Sequence, residues 1–152
     1  MRLAPLAALI LTASPAAAAG LIRAHDPDVI ATMLSDSGYR AEIDKDDYGD
    51  PVIRSAAEGV NFSIVFYNCT DGANCTSNQF TAGFNKDDPM SASSMNEWNR
   101  VNRFGAAFID DEGDPYLQID VDMYGGIPKA TLDNVFARWQ ALLGNFKAHN
   151  DW

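Results

Sequence analysis

Histidine, cysteine and positive charge are all scarce in this 152-residue chain. The two histidines, His25 and His149, stand at the margins of the region that carries hydrophobic periodicity. A nucleophilic triad or a zinc site ordinarily takes histidine from inside a domain, so neither is expected. Lys and Arg number 11 against 21 Asp and Glu, a net charge of −10. So acidic a chain suits neither nucleic acid nor an anionic membrane, because both present negative charge. No phosphate-cradling pattern appears: Gly125-Gly126 before Pro128 has the wrong spacing and no Lys-Ser/Thr pair nearby. After the first 19 residues no apolar run is long enough to span a bilayer. What remains abundant is hydrophobic residue, 47% of the chain and periodic, which argues for a packed core rather than disorder.

Those first residues read as a secretion signal. Arg2 supplies a positive start, Leu3 to Ala13 is an apolar stretch too short for a membrane span, and Ser14-Pro15 breaks it. Ala17-Ala18-Ala19 then offers a cleavage site before Gly20. Removal of residues 1–19 is expected to leave residues 20–152 as one domain, in the periplasm or secreted, without stable membrane insertion. Arg2 is the only charged residue lost, so ten cations would remain against 21 acids, a net charge of −11.

In an oxidising compartment, Cys69 and Cys75 of Tyr67-Asn-Cys-Thr-Asp-Gly-Ala-Asn-Cys-Thr76 are expected to pair. A redox pair would more typically be C-x-x-C at a helix start, whereas these flank an Asp71-Gly72 turn. A structural bond leaves no thiolate for catalysis or metal binding.

Periodicity predicts the elements. Asp26-Pro27 opens a helix with Val29, Ile30, Met33 and Leu34 on its apolar stripe, stopped at Gly38. Tyr39, Ala41 and Ile43 alternate as a strand, and Val52–Arg54 follows as its hairpin partner after Asp47-Tyr-Gly-Asp-Pro51. Val60, Phe62, Ile64 and Phe66 mark a third strand, and Phe80, Ala82 and Phe84 a fourth. Ser94-x-x-Glu97 reads as a capping box opening a helix with Met95, Trp98 and Val101 on its stripe and Phe104 at its end. Ala106 and Phe108 enter a hairpin through Asp110-Asp-Glu-Gly-Asp-Pro115 into the clearest strand, Leu117, Ile119, Val121 and Met123. The last helix begins near Pro128, with Leu132, Val135, Phe136, Trp139, Leu142, Leu143 and Phe146 on one face. The expected class is α+β: a single domain, an antiparallel sheet with helices packed on it.

Only carboxylates could carry chemistry. Asp120 and Asp122 share one strand face and could form the pair of a carboxylate-based hydrolase. They also alternate with a complete apolar stripe, as a solvated sheet face does, and that reading is preferred. Gly49-Asp50-Pro51 and Gly113-Asp114-Pro115 are an internal echo that could mark calcium loops. However, Tyr48 stands where an EF-hand needs an oxygen ligand and Ser55 where it needs its bidentate Glu, and the second loop fits worse, so hairpin turns are preferred.

Phe66-Tyr-Asn-Cys69 with Cys75, Asn96-Glu-Trp-Asn-Arg-Val-Asn-Arg-Phe104, Asp110-Asp-Glu-Gly-Asp-Pro115, Leu117, Asp120 and Gly125-Gly126 resemble, in this order, the YbjN-domain family. The resemblance runs from about Asp28 to Phe146, with a domain core of about residues 26–147. It implies a fold similar to type III secretion chaperones, a role in regulating sensory transduction, and neither cofactor nor catalytic residue. Within it, Trp98 is expected in the core. Asn99 and Arg103, four apart on a helix, would tie that helix to the acidic turn between Asp110 and Asp114.

The expected function is a non-catalytic, chaperone-like binding module that takes a protein or peptide segment, with no cofactor, no metal and no nucleic acid. A homodimer is compatible with it. Small-ligand or calcium binding, and a carboxylate-based hydrolase, are the alternatives.

Overall fold

Local stereochemistry starts each element where the sequence can close it. Pro27, whose fixed φ suits a first helical position, opens α1 (Pro27–Asp36), although Asp26 at the N-cap makes no side-chain cap bond. The turn Asp46–Asp50 joins β1 (Glu42–Lys45) to β2 (Pro51–Ala57). Its Asp46 Oδ1 accepts the N–H groups of Tyr48 and Asp50, both at 2.9 Å. The turn joining β5 (Ala106–Ile109) to β6 (Pro115–Asp122) repeats this bonding. There Asp110 Oδ1 accepts from Glu112 at 3.0 Å and Asp114 at 2.9 Å. The echo in the sequence is therefore one self-bonded turn used twice.

The structure, a computed structural model, describes residues 20–152; the expected secretion signal lies outside the described residues. Among the described residues β3 (Val60–Tyr67) and β4 (Ser77–Gly83) complete a six-stranded antiparallel sheet. Its order is β1-β2-β3-β4-β6-β5. With α2 (Ala92–Val101) and α3 (Lys129–His149) the fold is α+β, as expected from the sequence.

One face of the sheet carries the core. Ile53, Phe62, Ile64, Phe80 and Leu117 alternate onto it from four strands and are almost wholly buried. Leu132, Phe136, Trp139, Leu143 and Phe146 of α3 cover them, with Trp139 edge-on to Phe62 at 5.7 Å between ring centres. α1 adds Ile30, Met33 and Leu34, and α2 adds Met95 and Trp98. Aromatic rings meeting edge to face contribute beyond their buried area.

Four expectations are corrected. The first strand begins at Glu42, because Tyr39 leaves it to stand edge-on to Phe136 at 4.8 Å. α2 starts at Ala92 with Ser91 as N-cap, so Ser94 opens no capping box; its hydroxyl meets His149 Nε2 at 3.1 Å. The helix ends at Val101, which is exposed, and Phe104 lies beyond it. His149, expected only at the margin of the fold, is the last residue of α3 and is half-buried against α2, with its ring 5.5 Å from that of Trp98.

Candidate functional site

Alternation along the strands sends a second set of side chains to the opposite face, away from the core that holds the buried side chains of the three described helices. Register brings residues far apart in sequence into rows across it. One row runs Glu42, Arg54, Ser63, Thr81, Gln118 and Ala106. Val52 is the one buried residue among these strand positions; the others are half-buried or exposed.

A cavity of about 400 Å³ opens on this face, lined by Arg40, Arg54, Asn61, Ser63, Thr81 and Tyr116. Its shape depends on Gly83. A Cβ there would stand 2.6 Å from Tyr116 Cζ, so only glycine lets the Tyr116 ring lie across the strand. Phe108 stacks behind that ring, with centres 5.3 Å apart. Opposite, Arg54 Nε donates to Asp44 Oδ2 at 3.2 Å. Arg40 Nε stands 3.8 Å from Glu42, and an Arg40 terminal nitrogen reaches Asn61 Oδ1 at 3.4 Å. The Lys45 backbone N–H and then the Arg54 guanidinium hold the Asp44 carboxyl below its ordinary pKa. Ion pairs as exposed as these contribute little to stability. A second, more apolar hollow of about 500 Å³ lies beside α1 and includes Ile22, Val29 and Met33.

The sequence-derived candidates do not converge on one site. Cys69 and Cys75 form a disulfide at the β3–β4 tip. Thr70 and Ala73 exchange backbone hydrogen bonds there, closing a two-residue turn with Asp71 at φ 53° and Gly72 at φ 70°. That is the primed geometry for which Asp-Gly is suited. Trp98 is buried against Phe146, with ring centres 4.8 Å apart.

Asn99 has a different partner from the expected one. Its amide donates to Ala107 O at 2.9 Å and accepts from Ala107 N at 2.8 Å, acting as a one-residue strand against the edge of β5. Arg103 lies past the end of α2, so the two do not share a helix face, and its guanidinium stands 5.5 Å from the Phe104 ring centre. No ion pair joins it to the acidic turn among the described residues. Asp110 is engaged within that turn, and Asp114 Oδ1 accepts the Lys86 N–H at 2.8 Å.

Asp120 and Asp122 lie exposed on the open face. Asp120 accepts from Gln79 Nε2 and Asp122 from the Tyr124 N–H, each at 2.9 Å. Neither has the apolar enclosure that keeps a catalytic carboxylic acid protonated. Among the described residues no three His, Cys, Asp or Glu side chains group so as to hold a metal ion. Nor is any described helix long and apolar enough to cross a membrane.

The residues that sequence reasoning missed are Arg40, Arg54, Asn61 and Tyr116. Alternation placed Asn61 on the polar side of its strand, but only the pairing of β4 with β6, which skips β5, brings Tyr116 near Arg54.

No curated protein and no solved structure matches this chain. A family model, YbjN, described as "Putative bacterial sensory transduction regulator", matches residues 26–149. The match takes in the whole sheet and all three helices, the disulfide hairpin and the open-face cavity included, and by it the chain belongs to the YbjN family.

Proposed function

We propose that this protein is a non-catalytic binding module of the periplasm, chaperone-like in presenting a sheet surface to a segment of another protein. One observation carries it: the described helices share one core with a single face of the sheet, while the other face is open and holds the cavity. A sheet that is buried on one side and wet on the other is stable without a partner. Its open side is thus available for recognition without cost to the core. The disulfide supports an oxidising compartment, since such bonds seldom persist in the cytosol. A secretion signal at residues 1–19, expected from the sequence, would give the same address, and intact mass should then show the exported protein starting at Gly20.

Site-specific photo-cross-linking tests the surface. A benzophenone side chain at position 81, on the open face, should give a discrete adduct in the periplasm. The same group at position 141, on the solvent side of α3, should give none. Equal labelling from both positions would defeat the proposal.

A further inference from the structure

We infer that the open-face groove takes one carboxylate side chain from an extended, otherwise neutral or basic peptide segment, with Arg54 and Arg40 as its anchors. This deepens the open-face binding role proposed above and depends on it. The chain is strongly acidic, at −10, yet the groove is lined by two guanidinium groups and no acid. The lining itself is thus cationic, with the Asp44 and Glu42 carboxylates just outside it against the two arginines.

The existing partners leave the arginines usable. Asp44 takes Arg54 through Nε, and among the described residues the terminal nitrogens of Arg54 make no hydrogen bond. Arg40 holds Asn61 only at 3.4 Å and Glu42 at 3.8 Å. A guanidinium presents paired N–H donors that match a carboxylate's two oxygens, and such charge-assisted pairs are the stronger hydrogen bonds. Ser63 and Thr81 on the floor and Tyr116 on the wall supply further hydroxyl groups.

The surroundings decide what bears that carboxylate. Glu42 and Asp44 flank Arg54 on β1, and Asp120 and Asp122 follow along β6, one and two rows from Gln118. A second negative charge on the ligand would meet this acidic rim. The rim therefore rejects a phosphodiester backbone or an anionic lipid surface, and favours Lys or Arg beside the bound carboxylate. Because the floor is a sheet surface open to solvent, the groove grips one side chain while the segment lies along the strands.

The test uses the exported protein and a blocked pentapeptide, Lys-Thr-Glu-Thr-Lys, followed by backbone amide shifts. Saturable shifts are expected at Asn61, Ser63, Thr81 and Gly83. Changing the central Glu to Gln should weaken binding at least about tenfold, as an all-Glu pentapeptide should too. Arg40→Ala with Arg54→Ala should cause a similar loss at unchanged Tm, with Arg54→Lys intermediate. No saturable binding, equal binding of the Glu and Gln peptides, tighter binding of the all-Glu peptide, or full binding by the double variant would overturn the inference. Free acetate binding as tightly as the peptide would replace the segment by a small carboxylate, and so overturn it as well. If adducts at position 81 persist while the charge test fails, open-face binding stands and only its charge recognition falls. If the adducts are absent, open-face binding itself is lost.

Discussion

The two faces of the sheet are made by the same strands, one residue apart, and differ in almost everything else. On one face Phe62, Phe80 and Leu117 are sealed under Trp139 and its neighbours on α3. On the other, Ser63, Thr81 and Gln118 stay half-exposed around a polar groove. Burial of apolar surface is the main stabilising term, so stability resides on the first face. The second is left free to vary in chemistry while the shared backbone ladder holds its positions.

The sharpest way to break that contrast is one substitution on each face. Trp139→Ala should cost about 3–5 kcal/mol, through lost burial and the cavity left behind. Trp139→Phe should cost much less, because the Trp139 Nε1 is buried without a partner and its removal leaves nothing newly unpaired. Thr81→Ala should stay within about 0.5 kcal/mol, as surface changes do. Urea denaturation measures all three. A Thr81→Ala cost approaching that of Trp139→Ala would mean that the open face is part of the stabilising structure.

The disulfide acts on both faces at once, since it closes the tip from which β3 and β4 run back through the sheet. Replacing both cysteines by Ala should lower stability by about 2 kcal/mol, the chain-entropy value for so short a loop. Amide shifts of Ser63 and Thr81 should barely change. Their broadening would show that the groove needs the staple as well as the core.

The edges of the sheet offer a smaller contrast. β1 is four residues long and charged at three of them, a common defence against pairing with another chain. β5 carries no charge and relies on Asn99. Asn99→Ala should cost about 2 kcal/mol, since it removes two hydrogen bonds each with a net worth of about 1 kcal/mol. It should also produce new concentration-dependent association in sedimentation, and sedimentation unchanged from that of the parent protein would mean that α2 shields that edge by itself.

Much of the buried face was legible, because alternation in β3 and β6 and the stripe of α3 state directly which residues point inward. The open face was not. Each strand's polar positions could be read, but which of them meet depends on pairings between segments tens of residues apart. Local signals also misled where a distant partner intervened. Ser94 looked like a cap, yet its hydroxyl belongs to His149 from the end of α3. Asn99 and Arg103 looked like one helix face. However, the backbone of Asn102 turns extended, at φ −107° and ψ 125°, and ends the helix between them, while its side-chain amide donates to Trp98 O.

The smallest effect concerns the rim of the groove and separates two causes acting on one carboxylate. Asp44 is held below its ordinary pKa first by the Lys45 N–H and second by Arg54. A carboxylate with a lowered folded-state pKa adds stability above its unfolded value, near pH 4, and loses it as pH falls through the lower folded value. Carbon-13 titration of the Asp44 carboxyl should therefore show a midpoint below the usual aspartate range. Arg54→Ala should raise that midpoint only in part, because the backbone N–H stays in place. A return to the full ordinary value would make Arg54 the dominant partner of Asp44. That guanidinium would then be committed to β1 rather than held ready for a carboxylate from outside.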